Sequence, residues 1–279
     1  MNSSYCNYYE SSSLFHGSLL NIMGTRFDIV AVGGTKTVSE SLWNEIISEL
    51  VRLDKMLNRY DKESDIALIN ARAIYAPVKV TPEMWNILSD CKQYYDITCG
   101  LFDITLKDFS QVYLNESDKS VFFLQDNISF DVGGYAKGYA MEKIKALLSF
   151  DIEHAFVNFG NSSVLGLGHH PCGDYWSVCI ENPYRAGDIL GTVQISNNSL
   201  STSGNMPSHP KHIIHPISGE YIEKRQIVCV VTPNSVDAEI LSTTLILAND
   251  KERADILSRF QVNDIRIYNN IGEENTKHE

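Results

Sequence analysis

Residues 120–148 read SVFFLQDNISFDVGGYAKGYAMEKIKALL, and a change of pattern inside this stretch decides the fold. Its first half is typical of short strands, because an apolar run at 121–124 is followed by alternating apolar and polar residues at 128–132. Gly133 and Gly134 interrupt this pattern, and helical spacing continues to the end of the stretch. The sequence therefore predicts a strand, a glycine turn and a helix in direct succession.

Upstream of this stretch, the sequence predicts one strand and two long helices. Alternating apolar residues favour a strand at 25–32. Thr37 and Glu40 have the spacing of a capping box, which predicts the start of an amphipathic helix. Thr81 followed by Pro82 indicates a second helix start, since threonine caps free N–H groups and proline suits the first helical position.

Downstream of residue 148, short strands dominate the pattern. They are expected at 156–159, 176–180, 192–195, 228–232 and 264–268, with one helix at 236–248. A doubly wound parallel sheet needs a regular alternation of strand and helix, whereas here the strands are grouped after a helical section. We therefore expect an α+β fold with a mainly antiparallel sheet.

Length and composition favour one large folded unit. The chain has 279 residues, of which 43% are hydrophobic, and no Pro-, Gly- or Ser-rich linker divides it. We expect an irregular segment at 1–20, a single domain at 21–270 and a frayed tail at 271–279. The net charge of −12, from 23 basic and 35 acidic residues, argues against general binding to nucleic acid or anionic membranes.

The N-terminus and the cysteines bear on the cellular setting. The first residues lack the basic segment and apolar run of a secretory signal, and no stretch approaches the ~20 apolar residues that cross a bilayer. We expect a cytoplasmic protein without a transmembrane segment, or an exported one if a leader has been removed. The six cysteines form no CxxC pair, so buried reduced thiols are expected.

The first candidate for chemistry is DVGGYAKG at 131–138. Two glycines at a strand end let the backbone approach a ligand, and the helix after them offers unpaired N–H groups. An anionic phosphate suits such a turn. The spacing matches neither the dinucleotide fingerprint GxGxxG nor a P-loop, and a purely structural turn is the alternative.

The second candidate is LSTSGN at 200–205, which is followed by His209, His212 and His215. In an extended segment, His212 and His215 point to opposite faces. This favours one functional histidine over a shared zinc site, and surface histidines without a function are the alternative.

The third candidate is DAEILST at 237–243, where a helix is expected to begin. Glu239 and Thr243 are four residues apart and share one helix face. A carboxylate and a hydroxyl suit Mg²⁺, which takes few protein oxygens and completes its shell with water and substrate phosphates. Alternatively, the acidic residues only compensate the helix dipole.

Three further segments complete an ordered series: MGT at 23–25, LNRYDKESDIALIN at 57–70 and TCGLFD at 98–103. In these motifs and the three above, the sequence resembles the ApbE-like family of FAD:protein FMN transferases, from about Ile22 to about Leu247. The resemblance covers nearly the whole chain and rests on the order of the motifs rather than on one of them.

The resemblance implies a T-fold-like, flavin-binding α+β architecture. It implies Mg²⁺-dependent transfer of FMN from FAD to a Thr or Ser hydroxyl of a target flavoprotein, with release of AMP. His212 would be the catalytic base for that hydroxyl. The residues implied to contact FAD are Met23, Tyr60, Leu101, Phe102, Asp103, Asp131, Lys137, Ser203, Gly204 and Ile213. Those implied at the metal are Gly134, through its carbonyl, with Glu239, Ser242 and Thr243.

The chain departs from the usual family pattern at several positions. Glu239 stands in place of an Asp, so its carboxylate lies one methylene further out, and Asp237 is an alternative ligand. Glu142 also replaces an Asp, Asn161 replaces a glycine, and Asn205 replaces an acid. Two other functions stay open: an FAD pyrophosphatase, in which water replaces the acceptor hydroxyl, and a non-catalytic FAD-binding protein.

Overall fold

An eight-stranded sheet forms the centre of the fold in the computed structural model, which describes residues 3–105, 107–148, 152–207, 213–216 and 218–271. Its strands and those of two smaller sheets are β1 (Ser4–Tyr9), β2 (Leu14–Ile22), β3 (Thr25–Val32), β4 (Val78–Lys79), β5 (Val112–Asn115), β6 (Ser120–Phe123), β7 (His154–Phe159), β8 (Ser163–Leu167), β9 (Trp176–Glu181), β10 (Ile189–Ile195), β11 (Asn198–Gly204), β12 (Ile227–Thr232) and β13 (Asp264–Tyr268). The helices are α1 (Lys36–Leu57), α2 (Asp65–Arg72), α3 (Pro82–Ile97), α4 (Gly133–Leu148), α5 (Ser235–Leu247) and α6 (Asp250–Leu257).

Each pair of neighbouring strands in the main sheet is antiparallel. Their order is β1-β2-β3-β7-β8-β11-β12-β13, so the two ends of the chain supply the two edges. The smaller sheets, β9 with β10 and β4-β6-β5, are also antiparallel. The expected α+β class with a mainly antiparallel sheet is confirmed.

The predicted strand, turn and helix of residues 120–148 are present as β6 and α4, but residues 128–132 join no sheet. They alternate in burial as a strand would, and the side chain of Asn70 takes the place of a neighbouring strand. Its Oδ1 accepts a hydrogen bond from Phe130 N at 2.7 Å, and its Nδ2 donates to Phe130 O at 2.9 Å. One side-chain amide thus satisfies both backbone groups of a buried residue.

The prediction of an irregular segment at 1–20 is wrong, because β1 and β2 form a hairpin there. Phe15 and Leu19 of β2 are buried in the core, whereas the side chains of β1 are largely exposed. An exposed edge strand lacks the apolar alternation on which such a prediction depends. At the other end, Ile271 of the predicted tail is buried, and residues 272–279 lie outside the described chain.

Helix α1 covers one face of the sheet through a close contact with β2. The ring of Trp43 lies against Gly17, where an added Cβ would come within 2.9 Å of it. Only glycine leaves room for the indole at this position, because Cβ contacts below 3.0 Å essentially never occur. The contact places α1, and α4 beside it, over the strands at the start of the chain.

Strand β12 is buried on both faces, which lets two layers pack on it. Val228 and Val230 belong to the cluster with Leu241 and Leu245 of α5. The opposite side chains pack with Trp176 of β9, so the β9-β10 pair covers the other face. Helix α5 is therefore held against the sheet next to β11 and β12.

Helices α4 and α5 approach each other closely at the start of α5. An added Cβ on Gly138 of α4 would lie 2.8 Å from Ser235 O and 2.8 Å from Val236 Cα. One turn further along α4, Glu142 accepts hydrogen bonds from Ser235 N and Ser235 Oγ, both at 2.7 Å. These contacts set the spacing between the two helices that carry the charged residues of the site.

The predicted helix starts are confirmed in one case and shifted in the other. Thr81 caps α3, and its Oγ1 accepts from Met84 N at 3.2 Å. The cap of α1 is Thr35, which accepts from Val38 N at 3.4 Å, so the capping-box position predicted at Thr37 is wrong by two residues. Two threonines of similar propensity lie here, and only the backbone geometry selects one of them.

The cysteines differ in burial but not in disulfide bonding. All six are free, but only Cys91 and Cys229 are buried, so the prediction of buried thiols is wrong for the other four. Burial raises the pKa of both buried thiols. No helix in the described ranges has the length and hydropathy needed to cross a bilayer.

Candidate active site

A cavity of about 540 Å³ opens where α4, α5 and the end of β11 meet. Its wall contains most of the residues implied by the sequence: Leu101, Phe102, Asp103, Asp131, Gly134, Lys137, Ser203, Gly204, Ile213, Glu239 and Thr243. Ser242 lies behind this wall and is fully buried. The fold thus gathers residues from distant parts of the chain around one space.

A second cavity of about 310 Å³ adjoins the first and contains the remaining two implied contacts. Met23 lies at its edge with a φ of 46°, in the turn between β2 and β3. Tyr60 also lines it and is 85% exposed. Asp131 and Lys137 line both cavities, so a long ligand can pass from one to the other across these two side chains.

An ion pair between two helices forms the charged centre of the first cavity. Lys137 Nζ on α4 lies 2.7 Å from Glu239 Oε2 on α5. The side chains are 23% and 6% exposed, so the pair is largely withdrawn from water. Because Gly138 follows Lys137 directly, the close packing of α4 on α5 sets the distance between the two charges.

The second carboxylate oxygen of Glu239 is held by two serines that the sequence analysis did not single out. Ser201 Oγ of β11 donates to Glu239 Oε1 at 2.8 Å, and Ser163 Oγ of β8 also donates to it. Both serines are buried. A signal existed in β11, where Ser199, Ser201 and Ser203 alternate along the strand and share the face toward α5.

Asp131 joins the start of α4 to the guanidinium group of Arg59. Its Oδ1 accepts from Gly133 N at 2.9 Å, which satisfies one of the free N–H groups at the helix start. Its Oδ2 accepts from Arg59 Nη1 at 2.8 Å. Arg59 lines the second cavity and is a further positive charge that the sequence analysis had quoted only within the motif at 57–70.

Asp103 lines the first cavity, but its oxygens are engaged in the turn that it begins. Oδ1 accepts from Thr105 N and Thr105 Oγ1, both at 2.7 Å, and Oδ2 accepts from Phe109 N at 3.1 Å. Burial raises the pKa of this carboxyl group, against the effect of these hydrogen bonds. Asp103 therefore shapes the wall on which Leu101 and Phe102 are presented.

The donor chemistry around Glu239 suits a hard divalent cation. The Glu239 carboxylate and the Thr243 hydroxyl both line the cavity, one turn apart on α5, with Gly134 facing them from α4. In the described part of the chain, no three His, Cys, Asp or Glu side chains cluster as a metal site. A site with one carboxylate and neutral oxygens fits Mg²⁺, which leaves several positions to water and phosphate oxygens.

Asp237, the alternative carboxylate, faces away from this group. Its Oδ1 accepts from Tyr94 OH of α3 at 2.6 Å, and it does not line the first cavity. Burial raises the pKa of Asp237, and the hydrogen bond from Tyr94 only partly offsets that effect. Of the two acids at the start of α5, Glu239 is therefore the one placed to meet a ligand.

The histidine segment is described only from Ile213 onward. His209 and His212 lie outside the described residues, so the expected opposite orientation of His212 and His215 stays a prediction. His215 N donates to Glu220 O at 2.8 Å and His215 Nδ1 accepts from Ser218 N at 3.4 Å, which closes a turn. Ile213 is buried in the cavity wall.

Comparison with known proteins assigns the family. The sequence profile of the ApbE family matches residues 23–121 and 106–266, which is most of the chain. The chain belongs to the ApbE family. A relative from Klebsiella pneumoniae, named FAD:protein FMN transferase, is 28% identical over 244 residues, with 74% of this chain and 75% of the relative covered. A relative of the same name from Chlamydia muridarum is 21% identical over 266 residues, with 81% and 82% covered.

Solved structures of ApbE proteins share the fold. The ApbE protein from Thermotoga maritima superposes with a TM-score of 0.76 at 20% identity, covering 96% of this chain and 97% of that one. The flavin transferase ApbE from Vibrio cholerae gives a TM-score of 0.77 at 17% identity, covering 98% and 94%. The ApbE fold therefore extends over nearly the whole chain.

Residues that depart from the usual ApbE pattern have local partners in this structure. Glu142 caps the start of α5, as described above. Asn161 adopts a φ of 58° and binds Asn158 by two hydrogen bonds, which suits an asparagine in place of glycine. Asn205 donates to the carbonyls of Ile222 and Lys224. These substitutions are accommodated in turns and a helix start, outside the Glu239 group.

Proposed function

We propose that this ApbE protein transfers FMN from FAD to a Ser or Thr hydroxyl of a target flavoprotein and releases AMP. The single observation that carries the proposal is the Lys137–Glu239 pair at the junction of two adjoining cavities. A dinucleotide is long enough to use both cavities, with its pyrophosphate at the junction. The names of the relatives, FAD:protein FMN transferase, support the same substrate.

The pyrophosphate would lie between positive groups of the protein. The Lys137 ammonium and the first turn of α4, where Gly133 and Gly134 line the first cavity, face this junction, and the helix dipole adds partial positive charge there. Arg59 adds a charge from the second cavity. These groups bind the anionic oxygens and orient the phosphorus that is attacked.

The flavin end would use the apolar residues near the two cavities. Met23 packs on the flavin, and Tyr60 with the segment from Leu101 to Asp103 contacts the rest of FAD, as the resemblance implies. Ser203, Gly204 and Ile213 form the facing wall. The cavities lined by these residues support this arrangement.

Glu239, Thr243 and the carbonyl of Gly134 would hold Mg²⁺, with Ser242 behind them. When bound, the ion neutralises the charge that develops on the pyrophosphate oxygens. In the reaction, the acceptor oxygen forms a bond to the phosphorus of the FMN half, and the bond from that phosphorus to the AMP oxygen breaks. The proton of the acceptor hydroxyl passes to His212.

The proposal is tested by incubating the protein with FAD, Mg²⁺ and a flavoprotein that contains a Thr acceptor. Flavin fluorescence on the denatured acceptor reports transfer, and AMP is quantified in parallel. We expect both products in equal amounts, and Glu239→Ala to abolish them because it removes the carboxylate placed for the ion. Release of AMP without labelled acceptor would identify a pyrophosphatase, and FAD binding without either product would identify a binding protein.

The role of His212 is tested separately from binding. His212→Ala should lower the transfer rate by about 10²- to 10⁴-fold, the usual effect of removing a positioned general base. Its FAD affinity should stay within a few-fold of wild type. His215→Ala is the matched control, because the backbone bond from His215 N to Glu220 O survives the change and, within the described residues, the ring accepts only one bond, from Ser218 N at 3.4 Å. A rate loss that followed His215 and spared His212 would contradict the assignment of the base.

A further inference from the structure

A continuous chain of hydroxyl groups connects Glu239 and Thr243, the two polar residues of α5 that line the cavity. Thr243 Oγ1 lies 3.0 Å from Ser203 Oγ, which lies 2.8 Å from Ser242 Oγ. Ser242 Oγ lies 3.0 Å from Ser201 Oγ, and Ser201 Oγ lies 2.8 Å from Glu239 Oε1. Glu239 and Thr243 are therefore joined by hydrogen bonds through Ser201 and Ser203 of the cavity wall and Ser242 behind it.

The chemistry of the end residue gives the chain one direction. Glu239 is paired with the Lys137 ammonium, so its carboxylate only accepts hydrogen bonds, and Ser201 must donate its one proton to it. Ser201 can then only accept from Ser242. By the same count, Ser203 donates to Ser242 and Thr243 donates to Ser203.

A competing bond at Ser242 does not give a better arrangement. Its Oγ also lies 3.1 Å from the carbonyl oxygen of Glu239, and a donation there would use its single proton. The lone pairs of Ser201 and Ser242 would then face each other at 3.0 Å inside a buried site. Unmade bonds between buried polar groups are costly. Only the direction from Thr243 to Glu239 makes every bond of the chain.

We propose that Ser201, Ser203 and Ser242 are positioning residues that orient Thr243 and Glu239 as a matched pair of cation ligands. The inference rests on the proposed function, in which these two residues hold the divalent ion. Because Thr243 gives its proton to the chain, the lone pairs of its oxygen are left for the cavity. Because Ser201 holds Oε1, the other oxygen of Glu239 points to Lys137 and the ligand space.

The hydroxyl chain also explains how a glutamate can serve at position 239, where an aspartate is usual. Glutamate has one more rotatable bond than aspartate, and its carboxylate therefore needs more restraint to stay in one place. Ser163 and Ser201 supply that restraint from two neighbouring strands. Restraint of this kind by groups behind the ligands typically accounts for a factor of about 10 to 100 in metal affinity.

Strand β11, which supplies Ser201 and Ser203 to the hydroxyl chain, also supplies a matched control. Ser199 lies two residues before Ser201 on β11, is equally buried, and bonds to Ser235 Oγ at 2.6 Å instead of to the chain. Ser199→Ala therefore removes a buried hydroxyl from the same face of the same strand. It leaves each bond between Thr243 and Glu239 in place.

The test measures binding rather than turnover. Mn²⁺ is titrated by electron paramagnetic resonance into the protein held with excess FAD, and FAD affinity is measured separately in EDTA. For Ser201→Ala and Ser242→Ala we expect Mn²⁺ affinity to fall by about 10- to 100-fold. FAD affinity in EDTA, and both affinities of Ser199→Ala, should stay within two-fold of wild type. The double variant should lose little more than either single variant, since either change already interrupts the chain.

The outcomes separate this inference from the proposed function. If the serine variants bind Mn²⁺ like wild type while Glu239→Gln does not, the chain has no positioning role and the metal site stands. If Glu239→Gln also binds Mn²⁺ like wild type, the metal site itself is wrong. Should an alanine variant fail to fold, Ser201→Cys and Ser242→Cys decide, because a thiol keeps a side chain of similar shape at each position but is only a weak hydrogen-bond donor.

Discussion

Replacing Gly138 by alanine sets local helix propensity against tertiary packing. In an isolated helix the change is favourable by about 1 kcal/mol, because glycine has more backbone freedom to lose. In this structure the new Cβ would lie 2.8 Å from both Ser235 O and Val236 Cα. Non-bonded atoms pack at about 3.5–4.0 Å, so α4 and α5 must separate by more than half an ångström.

The backbone atoms that the new methyl group meets cannot rotate away as a side chain would. Overpacking of this kind costs about 1–3 kcal/mol. Set against the gain in propensity, Gly138→Ala should lower the free energy of unfolding by about 0–2 kcal/mol. The effect on function should be larger, because the separation acts directly on the distance between Lys137 and Glu239. A misplacement of about 1 Å costs on the order of 10²-fold in rate. For a separation of more than half an ångström we therefore expect the rate of FMN transfer to fall at least about tenfold.

The assays are urea denaturation and the rate of FMN transfer under saturating Mg²⁺. Gly173→Ala is the control, because an added Cβ there meets no atom within 4 Å. It should leave the transfer rate unchanged. If Gly138→Ala were instead about 1 kcal/mol more stable than wild type and fully active, propensity alone would govern this position. The packing argument for the spacing of α4 and α5 would then be refuted.

Two further predictions concern stability. Asn70→Ala should lower the free energy of unfolding by about 2–4 kcal/mol, since it leaves both backbone groups of buried Phe130 without partners. Urea denaturation measures this loss. Asn70→Asp is the control, because an aspartate can still accept from Phe130 N but cannot donate to Phe130 O. Burial raises the pKa of Asp237, so its folded state binds a proton more tightly than the unfolded chain does, and its contribution to stability is lost as pH rises through the folded pKa. Asp237→Asn can still accept the hydrogen bond from Tyr94 but cannot ionise. Its free energy of unfolding should therefore exceed that of wild type at neutral pH, and should not exceed it at a pH below the usual carboxyl pKa. Equal differences at both pH values, or a loss of Mg²⁺-dependent transfer in this variant, would contradict these assignments.

Much of the fold could be predicted from local patterns because each element carries its own signal. The strand at 25–32 and the strand at 264–268 have the predicted boundaries, and the helix after Gly133 ends at Leu148 as expected. Because one face of each of these segments is buried, apolar residues recur along it with a period of two in a strand or 3.6 in a helix. The edge strand β1 has no buried face and carries no such signal, and it was missed.

The candidate site was predicted through the order of its motifs, and most of its residues line one cavity. What the motifs did not contain was the pairing between them. Lys137 and Glu239 lie 102 positions apart, and no periodicity links one to the other. Ser163 was missed for the same reason, since an isolated serine in a strand has no pattern that sets it apart, whereas Ser201 belongs to the alternating serines of β11.

The sequence by itself determined which segments become strands and helices, and which residue types could meet a phosphate or a hard cation. Local hydrogen bonding and the burial of one face depend on neighbours within a few residues, so those properties can be inferred from the chain. Only the tertiary structure decided which acid at the start of α5 faces the cavity. Glu239 and Asp237 are two residues apart and differ in side-chain length by one methylene. The packing of α5 between β11 and α4 turns Glu239 toward Lys137 and Ser201, and Asp237 toward Tyr94.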